Sequence, residues 1–248
     1  MIELGAIAGP PPLGVLQAEG PLAFFLDFDG TLVEIASSPE KIQVPRTLPQ
    51  GLIRLALRED GRLALISGRT VENLRSHLGD LPLALAGSHG AELFRSDGTR
   101  IGDEPAPLPA PVGQAFASFA ARHSGVEYEA KKYGAALHYR IAPELEATAN
   151  AFAQQVAAQS DLRLKHGKCV VELVRWGANK GDAVRAFMAE REFSGARPVF
   201  VGDDLTDEDG FAAVRDFGGF GVIVGQRSET CALYRLAAPR ELGSWLQL

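Results

Sequence analysis

The sequence predicts an α/β fold in which a Rossmann-like parallel sheet, covered by helices, is interrupted by an inserted α+β domain with an antiparallel sheet. Three observations predict it. Over residues 23–102, short continuous apolar runs alternate with longer amphipathic ones, the pattern of strands buried on both faces of a parallel sheet. The proline-rich stretch GDEPAPLPAPVG (102–113) then breaks that pattern. A different order of elements follows, and after Trp176-Gly177 the first pattern returns.

Each element has a local reason. The opening MIELGAIAGPPPLGVLQAEG carries no Lys or Arg, and Pro10, Pro11 and Pro12 interrupt any apolar helix. Residues 1–22 therefore read as an N-terminal arm of the mature chain, not a leader peptide. AFFLD (23–27) is the first core strand, followed by a helix near 47–58, the strand LALIS (63–67), a helix near 70–78 and the strand LALAG (83–87). AELFRSDGTRI (91–101) holds Asp97-Gly98 between two strand-like runs, a hairpin signal. Prolines at 105, 107, 109 and 111 suit an extended, semi-rigid connector, which ends the first core segment (23–104). The insert (105–177) reads αββαββ: a helix at 112–123, strands at 126–131 and 135–141, a helix opened by Pro143 (144–158), and strands at 161–165 and 169–175. The core resumes over 178–248 with a helix at 180–190, RPVFVGD (197–203), a helix near 206–214, FGVIVG (220–225) and a last helix at 239–246.

Bulk properties narrow the function. The chain has 248 residues, 46% hydrophobic and 23% charged, ordinary for a soluble globular protein. A formal net charge of -6 gives no long-range positive field to attract polyanions, which argues against a nucleic-acid partner or an acidic membrane surface. No segment approaches the roughly 18 uninterrupted apolar residues of a membrane span. Cys169 and Cys231 form neither a spaced metal motif nor a disulfide framework, so a cytoplasmic location is expected.

Four motifs carry chemistry. In FFLDFDGT (24–31), Asp27 and Asp29 sit two apart at the carboxyl end of the first strand, where their side chains share a face. Two such carboxylates repel unless a divalent cation lies between them or their protonation states differ. One can then serve as nucleophile and metal ligand while the other carries a proton. Gly30 permits the sharp exit, and Thr31 offers a hydroxyl and a backbone N–H to an anion. A strand end with an Asp-Gly turn would also explain the stretch. Ser67-Gly68-Arg69 ends a second strand with donors that suit a phosphate, although Ser67 as a simple helix N-cap is the better explanation of that stretch taken alone. Lys180 opens a helix just after the insert, where a lysine is by default a solvated surface residue and gains weight only beside the other motifs. VFVGDDLTDEDGF (199–211) places Asp203, Asp204, Asp207 and Glu208 within six positions, more negative charge than a helix N-terminus requires.

The order DxDGT, S-G-R, K, GDDxxD resembles the haloacid-dehalogenase-like (HAD) phosphotransferase superfamily. That resemblance implies that Asp27 attacks phosphorus to form an aspartyl-phosphate, and that Asp29 protonates the leaving alcohol and then activates water. It also implies that Ser67 and Lys180 hold the transferring group, with Gly30, Thr31, Gly68 and Arg69 around the phosphate. Mg²⁺ would be bound by Asp27, the backbone carbonyl of Asp29 and Asp203, with Asp204 and Asp207 in support. In this superfamily the insert between the S-G-R and Lys180 motifs is a cap domain that reads the leaving group.

Within that superfamily, EYEAKKYGAALHYR (127–140), HGKCVVELVRWGANKGDA (166–183), AGSHGAE (86–92) and VGDDLTDEDGF (201–211) are similar to the trehalose-6-phosphate phosphatase family, from about residue 24 to the end. The first twenty residues carry no such similarity. The pattern E-x-K, H-Y-R, G-K-x-x-x-E implies disaccharide contacts from Glu129, Lys131, Arg140, Lys168 and Glu172, with His138 and His89 left unassigned. Charged groups alternating on one strand face suit hydroxyls that both give and accept hydrogen bonds, and they equally suit a solvated sheet face. The expected activity is Mg²⁺-dependent hydrolysis of the small-molecule substrate trehalose 6-phosphate, supplied by a separate trehalose-6-phosphate synthase. Other readings are a phosphatase for a sucrose- or glucosylglycerol-type phosphate, a sugar phosphomutase, and a non-catalytic phosphosugar sensor. A phosphomutase would want an arginine cluster in the cap, where this sequence offers lysines paired with glutamates.

Overall fold

The structure, a computed structural model, describes residues 7–36, 41–167, 169–175 and 179–248. It divides into two compact units, Met1–Ile101 with Asn179–Leu248, and Gly102–Ala178.

The larger unit is built on a seven-stranded sheet. Its strands are β1 (Leu22–Leu26), β2 (Leu63–Ile66), β3 (Ala84–Gly87), β4 (Glu92–Phe94), β9 (Arg197–Gly202), β10 (Phe220–Val224) and β11 (Tyr234–Leu236). The order is β11-β10-β9-β1-β2-β3-β4, all parallel except β4, which runs antiparallel against β3. Side-chain alternation divides each strand between two cores. Phe24, Leu26, Leu63, Leu65, Val199 and Val201 face one side, under α1 (Leu13–Ala18), α2 (Leu48–Arg58), α3 (Val71–Leu78) and α8 (Pro239–Leu246). Phe25, Ala64, Ile66 and Phe200 face the other, under α6 (Lys180–Met188) and α7 (Glu208–Asp216). There Phe25 stacks on Phe187 and Phe193 at 6.2 and 5.5 Å between centroids. With every residue of β1 buried, the sheet is a rigid platform whose carboxyl edge places Asp27, Ser67 and Asp203.

Two elements were not in the sequence-based expectation. The stretch after the three prolines forms α1, which buries Leu13 and Leu16. The indole N–H of Trp245 donates to the Pro11 carbonyl at 2.8 Å and pins the segment. The short edge strand β11 extends the sheet beyond β10. The Asp97-Gly98 hairpin forms with Gly98 at φ 82 and an Asp97 side chain accepting from Thr99 N, but its second arm shortens to a single bridge, Phe94 to Arg100.

The smaller unit carries α4 (Ala110–Arg122), β5 (Glu127–Ala130), β6 (Gly134–His138), α5 (Glu146–Ala157), β7 (Leu162–Gly167) and β8 (Val170–Arg175). Its antiparallel sheet has the order β5-β6-β8-β7. Ala135, Leu137, Tyr139, Val171 and Leu173 pack with Phe116 and Phe119 of α4 and Ala149 and Ala153 of α5. Period-two alternation leaves Glu129, Ala136, His138 and Glu172 on the opposite face. Glu104 joins this unit by accepting from Lys132 Nζ at 2.5 Å and Tyr133 OH at 2.9 Å.

Candidate active site

The chain leaves β1 through a turn closed on itself. Leu32 and Val33 donate to the Phe28 carbonyl, and Gly30 N donates to the Val33 carbonyl at 2.8 Å. Gly30 has φ 78, and a Cβ there would overlap the Asp203 carboxylate, so both backbone conformation and space require glycine.

That turn separates the two neighbouring acids by giving each its own cation. Asp27, 4% exposed, lies 2.7 Å from Lys180 Nζ. Asp29 instead takes a two-point fork from Arg69, with Nε at 2.6 Å and Nη2 at 2.7 Å. The remaining Arg69 nitrogen Nη1 donates to Asn73 Oδ1 at 2.8 Å. The guanidinium expected near phosphate is thus directed at Asp29, while its backbone N–H donates to Ser67 Oγ at 3.1 Å. Ser67 is buried, and α3 takes its N-cap from Thr70, not from Ser67. The serine hydroxyl keeps its proton for another acceptor.

Lys180, the first residue of α6, is buried against a second acid: Asp207 Oδ1 lies 2.5 Å from Nζ. The other Asp207 oxygen accepts from the backbone N–H groups of Asp203 and Asp204, each at 2.9 Å. Asp207 therefore shapes the loop after β9 and grips the lysine at once. Asp204 turns its carboxylate to Leu205 N at 2.7 Å in a capping box with Asp207. Thr31 Oγ1 lies 3.4 Å from both Asp27 Oδ2 and Asp203 Oδ1.

The electrostatics follow from this crowding. Burial raises Asp27 well above the usual carboxylate range; Lys180 opposes that, and Asp207 and Asp203 add to it. Burial and the Asp207 carboxylate push Asp203 up to about 7. For Lys180, burial pulls downward, but Asp207 and Asp27 outweigh it and hold the ammonium well above the ordinary lysine value. One carboxylate oxygen from each of Asp27, Asp203 and Asp207 falls in a cluster spanning no more than 4.8 Å. Three acids against one ammonium leave surplus negative charge, and a set made only of oxygens suits a hard divalent cation.

On the smaller unit, register groups a second set. Glu129 and Glu172 both pair with Ala136, which is fully buried between them. Lys131 Nζ lies 2.7 Å from Glu172 and 3.8 Å from Glu129, whose Oε2 meets His138 Nε2 at 2.9 Å. Burial pushes Glu129 upward, but the His138 hydrogen bond and Lys131 together hold it below the ordinary value. His138, unassigned from the sequence, joins the network because register pairs it with Glu127 and so sets it diagonally from Glu129 on the same face. Arg140 is exposed two residues beyond β6, and Lys168 lies outside the described residues. His89 is buried in the larger unit, with its ring against Gly68.

Residues 25–239 match a family model described as Trehalose-phosphatase. The chain belongs to that family. It is 42% identical over 228 residues to trehalose-6-phosphate phosphatase of Escherichia coli (strain K12), covering 91% of this chain and 85% of the relative. Among solved structures, the C-terminal domain of C. albicans trehalose-6-phosphate phosphatase superposes with a TM-score of 0.83 at 22% identity, covering 98% of this chain and 99% of that one. A haloacid dehalogenase-like hydrolase from B. subtilis gives 0.65 at 17% identity, over 90% of this chain and 97% of the other, a likeness of fold alone. The trehalose-phosphatase match spans both units, so it takes in the smaller unit as well as the acidic cluster. Among the described residues, no helix is long and apolar enough to cross a membrane.

Proposed function

We propose that this chain hydrolyses trehalose 6-phosphate to trehalose and phosphate, the closing step of trehalose synthesis in the cytoplasm, on substrate supplied by a separate synthase. One observation carries the reading: in a chain of the trehalose-phosphatase family, Lys180 is buried between Asp27 and Asp207 beside Asp203, at the carboxyl edge of a parallel sheet.

Asp27 is the nucleophile. Its carboxylate oxygen forms the bond to phosphorus as the bond from phosphorus to the sugar oxygen breaks, and the leaving alkoxide takes a proton from Asp29. In the second half, water attacks phosphorus and gives its proton to Asp29, and the aspartyl-phosphate breaks to release inorganic phosphate. The Arg69 fork takes one lone pair on each Asp29 oxygen, so it orients the carboxyl group and the proton it carries sits on a lone pair outside the fork. Lys180, the Ser67 hydroxyl and the N–H groups of Thr31 and Gly68 hold the equatorial oxygens, while Gly30, whose own N–H closes on the Val33 carbonyl, shapes the turn that presents them. Mg²⁺, held by Asp27, the Asp29 carbonyl and Asp203 with support from Asp207, supplies the charge neutralisation this transfer needs. Asp204 supports the metal loop through its cap. On the cap, Glu129, Lys131 and Glu172 supply paired donors and acceptors for sugar hydroxyls, with Arg140 and Lys168 completing the set.

Phosphate release from a panel of sugar phosphates, with and without a chelator, tests the proposal. Trehalose 6-phosphate is expected to be turned over at least about tenfold faster than glucose 6-phosphate or sucrose 6-phosphate, in a chelator-sensitive reaction. Equal rates across the panel would defeat the disaccharide assignment.

A further inference from the structure

Ser88, His89 and Gly90 are three consecutive residues with positive φ, at 50°, 58° and 105°. Two are not glycines, and non-glycine residues persist there only when their surroundings over-determine them. Their backbone N–H groups, the His89 ring and Gly90 lead to the elements proposed to hold phosphate. Ser88 N donates to the Arg69 carbonyl at 2.7 Å and His89 N to the Ser67 carbonyl at 2.9 Å, so the turn is tied to both ends of the Ser67-Gly68-Arg69 loop. The His89 ring occupies the space where a Cβ on Gly68 would stand, 2.8 Å from that point. On its other side, a Cβ on Gly90 would lie 2.7 Å from the carbonyl oxygen of Asn179, the N-cap of the helix that begins with Lys180. The turn is a spacer wedged between the two elements that carry Ser67 and Lys180.

What holds the spacer is a buried carboxylate that the proposed chemistry does not use. Glu92, 6% exposed on β4, accepts from Ser88 Oγ at 3.0 Å and from Val71 N, at the start of α3, at 3.1 Å, both on Oε2. We infer that Glu92 is a positioning residue for the phosphoryl group, holding the left-handed Ser88–Gly90 turn that sets the spacing between the Ser67 loop and Lys180. The inference rests on the phosphatase reading of the site. It assigns Glu92 no contact with substrate: the residue acts through the turn, and transfer is sensitive to such spacing because donors must meet the equatorial oxygens together.

The test is inorganic phosphate affinity by titration calorimetry, beside turnover of p-nitrophenyl phosphate and the thermal midpoint. Glu92→Ala, which strands the Ser88 hydroxyl and Val71 N–H, is expected to weaken phosphate binding and lower kcat by about tenfold or more each. Glu92→Gln keeps an oxygen that accepts both bonds and is expected to restore both to within about threefold of wild type. Ser88→Ala leaves the bond to Val71 and is expected to give a loss of about threefold in the same direction with the fold intact. Phosphate affinity unchanged in Ser88→Ala, or a Glu92→Gln variant as impaired as a folded Glu92→Ala, overturns the inference. Since the readout is phosphate, a wild-type protein that binds phosphate yet ignores trehalose 6-phosphate defeats the disaccharide reading and leaves this one in place.

Discussion

The molecule uses one motif twice, a lysine between two carboxylates, in two different settings. In the larger unit Lys180 meets Asp27 at 2.7 Å and Asp207 at 2.5 Å, with side-chain exposures of 3, 6 and 0%. In the smaller unit Lys131 meets Glu172 at 2.7 Å and Glu129 at only 3.8 Å, and the Glu129 side chain is 36% exposed. The first trio has short carboxylates on a strand end and a capped loop, so its charges are fixed in place. The second has long side chains that reach across β6 from β8 and from the end of β5, one loose arm and partial access to water. Burial makes the difference: a dry trio presents a fixed field to developing charge, whereas a wet one can exchange ion pairs for hydroxyls at little cost.

The largest expected effect separates chemistry from stability within the dry trio. Asp27→Asn keeps the shape and an acceptor for Lys180 but removes the nucleophile, so kcat should fall on the order of 10⁴-fold or more. The thermal midpoint should move by no more than about 4 °C, because the change also relieves like-charge crowding among Asp27, Asp203 and Asp207. A variant with near wild-type turnover would remove the covalent mechanism.

A smaller effect compares the two lysines directly. Lys180→Met strands two buried acids and should cost about 3–5 kcal/mol in denaturant unfolding. Lys131→Met should cost less, about 1–2 kcal/mol: Glu172, 8% exposed, loses its ammonium partner, but Glu129 can turn to water and keeps His138. Similar losses at the two positions would dissolve the distinction between a fixed and an exchangeable trio.

The sequence announced the dry trio better than the wet one, for physical reasons. Strands buried on both faces write continuous apolar runs, and the acids that end them stand out by contrast, as Asp27 and Asp203 do. The fork between Asp29 and Arg69 left no local trace, because it joins residues 40 apart through the ends of neighbouring strands. The double duty of Asp207 was equally hidden, since only the folded loop brings one of its oxygens to Lys180 and the other to two backbone N–H groups. On the cap, spacing put Glu129 and Lys131 on one face but could not fix the register that sets Glu129 and Glu172 on either side of Ala136. Helix α1 escaped notice because six residues after three prolines have little helical preference of their own; burial of Leu13 and Leu16 makes them helical. Strand β11, three residues long, is too short for any period to appear.

The smallest expected effect tests whether the wet trio is a recognition device. Glu172 is 8% exposed and accepts from Lys131 at 2.7 Å, so Glu172→Gln preserves volume and one acceptor while removing the charge that restrains the lysine. Lys131 would then lean toward Glu129, and one hydroxyl partner of the sugar would be misplaced. KM for trehalose 6-phosphate should rise about fivefold, with kcat and inhibition by inorganic phosphate within about twofold of wild type, the signature of an interaction made equally in ground and transition states. A fall in kcat with KM unchanged would mean instead that the cap trio is committed to the transition state as firmly as Asp27, Lys180 and Asp207, and the difference in burial would no longer explain the difference in role.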